Sequence, residues 1–153
     1  MTALRLFNLW LHLSAAFVWI GASASLALLW LPHVRAGIDP ASRHALLMPL
    51  ARRYIRWAWA AIHLLLLTGI FNLVSVGVAY GFAFPPAFLT RLIAKLVIVV
   101  AMIGGQIGLG VAWVPRLAGR QSGGAPERAV GRALIATGIG GSVALWLGMM
   151  LQR

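Results

Sequence analysis

The stretch LFNLWLHLSAAFVWIGASASLALLWL, residues 6–31, contains no charged side chain. At about 1.5 Å per residue, a helix of this length exceeds the roughly 30 Å hydrocarbon core of a bilayer. The stretch therefore predicts a membrane-spanning helix. Three further long apolar runs occupy residues 57–82, 90–114 and 132–151.

The composition supports the same interpretation for the whole chain. Of its 153 residues, 61% are hydrophobic and 10% are charged, with a mean hydropathy of +0.91. These values lie well outside those of soluble domains. We predict an all-α fold: one domain, residues 1–153, forming an integral membrane antiparallel four-helix bundle. The chain has no cysteine, so disulfides and thiolate metal ligands are excluded.

Arginine placement predicts how the bundle is oriented. The net charge is +11, but the second connection, YGFAFPPAF at 80–88, carries no charge. Basic residues flank the first and third connections, which the positive-inside bias assigns to the cytoplasm, so both termini face outward. We interpret these residues as topology signals and lipid-headgroup contacts, not as a nucleic-acid surface. They are Arg35, Arg43, Arg52, Arg53, Arg56, Arg116, Arg120, Arg128 and Arg132.

Two connecting segments have distinct compositions. Residues 41–55 form a basic amphipathic stretch, which predicts an interfacial helix on the cytoplasmic side. His44 lies within it and His33 precedes it, and we expect both to be structural or solvent-facing. The third connection contains AGRQSGGAPER, residues 118–128, which is typical of a flexible loop.

Polar side chains inside hydrocarbon are costly and mark candidate sites. Counting along each helix places His12 about 9 Å and Lys95 about 5 to 9 Å from the outer surface. Asn72 falls roughly 12 to 15 Å below that surface, within side-chain reach. His12 shares a helix face with Trp19, and Lys95 shares one with Arg91. We predict that these five residues surround one site.

His63 belongs to a different level and face of the bundle. It lies roughly 15 Å deeper than His12 and about 180° around its helix from Asn72. We predict that His63 contributes to a homodimer contact, to a partner membrane subunit or to a second haem site. Its same-level partner is Gln106 if the third helix turns that face toward the second, and a neighbouring protomer if it does not. The alternative is a histidine hydrogen-bonded to the backbone carbonyl one turn earlier.

Three helices carry motifs in a familiar order. LHLSAAFVWIGA, residues 11–22, resembles the first-helix signature of the CopD copper-resistance family and of the related HemJ-type protoporphyrinogen oxidases. ARRYIRWAWAAIHLLLLTGIFNLVSVG, residues 51–77, is similar to their second-helix pattern. LTRLIAKLVIVVAMIGG, residues 89–105, is similar to the third. The likeness covers about residues 8–117.

The resemblance implies a four-helix membrane unit. In the HemJ branch it further implies a b-type haem, with His12 and Lys95 as the essential residues. The chain departs from that branch at Gln106, where HemJ-type proteins tend to carry a histidine. The resemblance thus implies haem-dependent oxidoreductase activity but leaves the protoporphyrinogen oxidase reaction open.

Three functional classes follow for a protein of the bacterial inner membrane. The first binds haem b through His12 and transfers electrons, as a neutral imidazole suits iron. The second carries Cu(I), for which imidazole and thioether are suitable ligands, along His12, Met102, Met149 and Met150. The third is a small accessory subunit of a membrane redox complex.

The two acidic residues, Asp39 and Glu127, both lie in connections. A carboxylate proton relay within the membrane is therefore not expected.

Overall fold

The computed structural model describes residues 3–37, 39–113 and 125–151, and these are almost entirely helical. The first helical rod comprises α1 (Ala3–Ser25), a π-helical turn (Leu26–Trp30) and α2 (Leu31–Gly37). The remaining helices are α3 (Pro40–Ala79), α4 (Pro86–Gly108), which continues into a second π-helical turn (Leu109–Trp113), and α5 (Ala125–Met150). The all-α prediction is confirmed.

Four helical segments are long and apolar enough to cross a membrane: Ala3–Val34, Ala45–Ala79, Pro86–Val111 and Arg128–Met150. Each overlaps one of the apolar runs predicted from the sequence. The chain is therefore a multi-pass membrane protein built as a four-helix bundle. The predicted flexible connection at 118–128 lies largely outside the described residues.

The amphipathic segment at 41–55 differs from the prediction. It does not form a separate interfacial helix but continues directly into α3, which runs through Pro49. Leu47, Ala51 and Tyr54, spaced three to four residues apart, are all buried. Because this apolar face packs against the other helices, the segment is part of the bundle core.

The helices form an open arc in the order α3, α1, α5, α4. Within the described residues, α1 packs along both α3 and α5, and α4 packs along α5. By contrast, α3 and α4 do not pack extensively on each other, although only residues 80–85 separate them. The side of the bundle between α3 and α4 is therefore loosely packed, although Tyr54 of α3 still reaches Gln106 of α4.

Burial divides the bundle into two halves. The packed half lies toward the π-helical turns, where Leu31, Leu47, Ile62 and Leu134 are at most 2% exposed. We call the opposite half, around His12, the cleft half. There, many large apolar side chains of α3 and α4 are exposed, either at the cleft or on the outer surface. They include Leu66, Ile70, Leu73, Ile93, Leu96 and Val97.

The turn between α3 and α4 requires unusual backbone conformations. Gly81 and Phe82 both have positive φ, at 57° and 58°. The Phe82 ring packs on Gly77, where a Cβ would lie 2.5 Å from a ring carbon. Glycine at position 77 therefore lets the turn fold back against the end of α3.

Candidate functional site

A ladder of polar contacts joins α1 to α3. The Asn8 side-chain amide donates to the Thr68 carbonyl at 3.0 Å and to Asn72 Oδ1 at 2.8 Å. One turn further along α1, His12 Nδ1 lies 2.8 Å from Thr68 Oγ1. The spacing within each helix matches: Asn8 and His12 are four residues apart on α1, and Thr68 and Asn72 are four residues apart on α3. Because the two helices are antiparallel, the contacts repeat once per turn.

The Thr68 hydroxyl determines which nitrogen of His12 carries the proton. Thr68 Oγ1 lies 2.6 Å from the Leu64 carbonyl, which can only accept a hydrogen bond. A hydroxyl has one proton, and Thr68 donates it there, so its oxygen must accept from His12 Nδ1–H. The hydrogen-bond network therefore assigns the proton to Nδ1 and leaves a lone pair on Nε2. Metal-binding histidines are commonly oriented in this way.

His12 and Lys95 line the same cleft, which has a volume of about 190 Å³. All four membrane-spanning helices contribute to it, and its surface is almost wholly apolar. The cleft lies where α3 and α4 diverge, so it faces the gap in the arc. Its other lining residues include Trp19, Leu65, Gly69, Val99, Met102 and Ala144.

Small residues provide the room for the two polar side chains. The His12 ring packs against Gly69, where an added Cβ would lie 3.4 Å from His12 Cε1. Lys95 extends over Gly148, where an added Cβ would lie 3.0 Å from Nζ. Larger residues at these two positions would crowd the imidazole and the ammonium group.

Lys95 lacks a counter-ion in the part of the chain that the structure describes. Its ammonium group forms no hydrogen bond or ion pair there, although it is close enough to His12 to interact electrostatically. Asp39 precedes α3, outside the membrane spans. A partly buried ammonium group without a carboxylate is suited to an anionic group supplied by a ligand.

A buried polar cluster supports the cleft from behind. Trp19 lines the cleft, and its indole N–H donates to Gln106 Oε1 at 3.5 Å. The same oxygen accepts a 3.0 Å hydrogen bond from the Tyr54 hydroxyl, which also lies 2.9 Å from Ser23 Oγ. These contacts hold the indole in place as one wall of the cleft.

Gln106 occupies a different position from the one predicted. It is fully buried in the cluster with Trp19 and Tyr54, not beside His63. The Trp19 indole only donates hydrogen bonds, which orients the Gln106 oxygen toward it. Among the described residues, Gln106 Nε2 is the buried side-chain nitrogen that lacks a hydrogen-bond partner.

The other predicted site residues lie away from the cleft. Asn72 pairs with Asn8 and does not line the cleft, and Arg91 donates to the Met150 carbonyl at 2.9 Å. His63 is exposed, and its Nδ1 donates to the Trp59 carbonyl at 2.7 Å, as the alternative of a bond one turn earlier described. Of the six candidates, the cleft therefore brings together His12, Trp19 and Lys95.

Sequence reasoning missed Asn8, Ser23 and Tyr54. The equal four-residue spacing of Asn8–His12 and Thr68–Asn72 was a usable signal for the ladder. Tyr54 was assigned to an interfacial segment, and that assignment concealed its place in the core.

Comparisons of the chain with protein-family models, with curated proteins and with solved structures give no match. The described residues also contain no group of three or more His, Cys, Asp or Glu side chains that could hold a metal ion. A metal bound at His12 would therefore need most of its ligands from elsewhere. A porphyrin supplies four nitrogen ligands of its own.

Proposed function

We propose that this protein binds a b-type haem in the cleft through His12 Nε2 and has a redox or electron-transfer role. The observation that carries the proposal is the His12 imidazole itself. Thr68 holds its Nδ1 proton, which leaves the Nε2 lone pair available beside an apolar cleft. This is the donor type and environment that haem iron uses in proteins.

The residues present fit such a group chemically. The apolar walls suit a porphyrin face, and the unpaired Lys95 ammonium suits a propionate. A volume of about 190 Å³ is below the usual range for small-molecule pockets, about 300–1,000 Å³. A porphyrin therefore requires the opening between α3 and α4 as well as the enclosed part of the cleft.

When bound, haem would supply one-electron redox chemistry. The contribution of the protein is to bind the haem, to orient it and to shield it from water. Thr68 keeps the His12 ring in one tautomer, and Gln106 with Tyr54 holds the Trp19 wall. The absence of carboxylates in the spans argues against a proton-coupled pump and is compatible with electron transfer.

Several finer features belong to the same proposal. The motif order over residues 8–117 resembles that of CopD-like and HemJ-like proteins, which supports a bacterial inner-membrane location. A protoporphyrinogen oxidase-type reaction remains one option within this class. The exposed His63 on α3 supports contact with a second copy of the chain or with a partner subunit of a redox complex, since a lipid-facing imidazole is costly.

A copper-binding function is the second candidate, because Met102 lines the same cleft as His12. Imidazole and thioether together suit Cu(I). The further copper ligands predicted from sequence do not join them. Neither Met149 nor Met150 lines the cleft, and Met149 is 59% exposed.

The absorption spectrum of protein purified from haem-replete cells, with its metal content, tests both functions. We expect a Soret band from non-covalently bound haem and a loss of more than nine-tenths of it in His12→Ala. His63→Ala is the matched control and should retain the band. A colourless, copper-containing protein would support the second candidate, and one that binds neither haem nor copper would refute both.

A further inference from the structure

A separate groove lies at the other end of the first two spans. Its volume is about 320 Å³, and it runs between the first helical rod and the N-terminal part of α3. Both elements reach the limits of their membrane-spanning segments here, at Val34 and Ala45. Its lining residues are Trp30, His33, Val34, Leu46, Leu47, Pro49, Leu50 and Arg53.

A second, more open cavity adjoins this groove. It is lined by Leu28, Leu29 and Pro32 on the first helical rod, and it shares Trp30 and His33 with the first groove. Two apolar surface depressions therefore share one pair of amphipathic side chains, Trp30 and His33. This arrangement matches a molecule with two hydrocarbon chains joined at a polar headgroup.

The polar residues of the groove can bind an anion. Within the described part of the chain, neither Arg53 nor His33 has a hydrogen bond or an ion pair. Arg53 projects into the groove, whereas the adjacent Arg52 does not line either cavity. A guanidinium group and an imidazole that line the same groove are suited to a phosphate.

The apolar residues of the groove are exposed, and contact with another apolar group would stabilise them more than contact with water. Trp30 is 51% exposed and Leu46 is 50% exposed, and both lie at the edge of the span. Tryptophan is favoured at this depth because its ring contacts both acyl chains and headgroups. An acyl chain would cover this surface, whereas a free phosphate ion would not.

We propose that this groove is a binding site for an anionic phospholipid. Arg53 and His33 bind the lipid phosphate, and the acyl chains lie in the two cavities on either side of Trp30. The charge of the chain favours this occupant, since a net charge of +11 with only two acidic residues selects anionic headgroups over zwitterionic ones. The site is distinct from the His12 cleft and does not depend on what that cleft binds.

Native mass spectrometry of the full chain tests the site, with phosphatidylglycerol and phosphatidylcholine as probes. We expect one phosphatidylglycerol retained per chain in preference to phosphatidylcholine. Arg53→Gln should lower its retention about fivefold, and His33→Gln combined with Arg53→Gln should lower it further. Arg52→Gln is the matched control, since it removes the same charge one residue away, and it should retain the lipid.

Two further measurements separate a lipid site from a simple anion site. Leu46→Gln leaves both phosphate-binding groups in place and should still weaken phosphatidylglycerol retention. Inorganic phosphate should not displace the lipid. Equal loss in Arg52→Gln and Arg53→Gln, equal retention of phosphatidylcholine, or displacement by inorganic phosphate would each overturn the proposal. Circular dichroism and elution volume verify that each variant is folded.

Discussion

The packed half and the cleft half of the bundle are built from the same four helices but differ in how closely those helices pack. In the packed half, Leu31, Leu47 and Leu134 are almost completely buried, and the Tyr54 hydroxyl donates to Gln106 and contacts Ser23 Oγ. In the cleft half, α3 and α4 diverge and leave His12 and Lys95 beside an open space. Stability is therefore concentrated in one half, and the capacity to bind a ligand in the other.

The difference in stability between the two halves is tested most directly by a substitution in the core of the packed half. Leu134 is fully buried, so Leu134→Ala should lower the free energy of unfolding by about 2–5 kcal/mol, because it leaves a cavity. Leu66→Ala in the cleft half removes the same atoms from a side chain that is 46% exposed, and it should change this free energy by less than about 1 kcal/mol. Denaturant titration of ligand-free protein in mixed micelles measures both, and equal losses would contradict the division into halves.

Thr68→Val tests the proposed role of the cleft half in binding a ligand. The substitution keeps the shape but removes the acceptor for His12 Nδ1–H, so the imidazole loses its orientation. We expect haem affinity to fall about 10–100-fold, as for other residues that position a metal ligand. Thr68→Ser restores the hydroxyl and should recover most of the affinity, measured by haem titration. Unchanged affinity in the valine variant would show that Thr68 does not position the ligand.

Two glycines on α5 test the boundary between the halves. A Cβ at Gly141 would overlap the Ile20 side chain, so Gly141→Ala should lower the free energy of unfolding by about 1–3 kcal/mol. At Gly148 the neighbouring atom is Lys95 Nζ, the end of a flexible side chain. Gly148→Ala should therefore change stability by less than about 0.5 kcal/mol. The same micelle titration compares them, and a reversed order would show that Ile20 has room to move.

Apart from the comparison substitutions Leu66→Ala and Gly148→Ala, Tyr54→Phe has the smallest expected effect. It removes the hydroxyl that contacts Ser23 and Gln106 but keeps the ring in the core. The expected loss is about 0.5–1.5 kcal/mol of unfolding free energy, the usual net value of one hydrogen bond. Because the cluster also holds Trp19, a bound haem should show a small shift of its Soret band. A variant identical to the wild type in both measurements would show that the cluster does not support the Trp19 wall of the cleft.

The fold was largely predictable because membrane spans depend on length and apolarity, which are local properties. All four spans could therefore be located from the sequence. The continuity of α3 could not, since Arg52 and Arg53 make residues 41–55 resemble an interfacial helix. Only the burial of the opposite face, including Tyr54, identifies this segment as part of the core.

The site was predictable only in part, for a geometric reason. Counting residues along helices gives depth, and it predicted His12 and Lys95 at a similar level; both residues line one cleft. It does not give the rotation of one helix against another. Arg91 therefore turned out to contact the end of α5, and Gln106 to lie in the core with Tyr54. The openness of the arc between α3 and α4 also depends on such pairwise packing and has no local signature.

The gap between α3 and α4 also determines whether the ligand's concentration in water or its concentration in the membrane governs binding. The cleft opens toward the lipid side of the bundle, so a hydrophobic ligand that enters through the gap comes from the bilayer, not from water. Its effective concentration is then its mole fraction in the membrane. A ligand that partitions strongly into lipid can fill the site even when its aqueous level is very low. Occupancy should consequently vary with the amount of lipid in a sample at a fixed total ligand concentration.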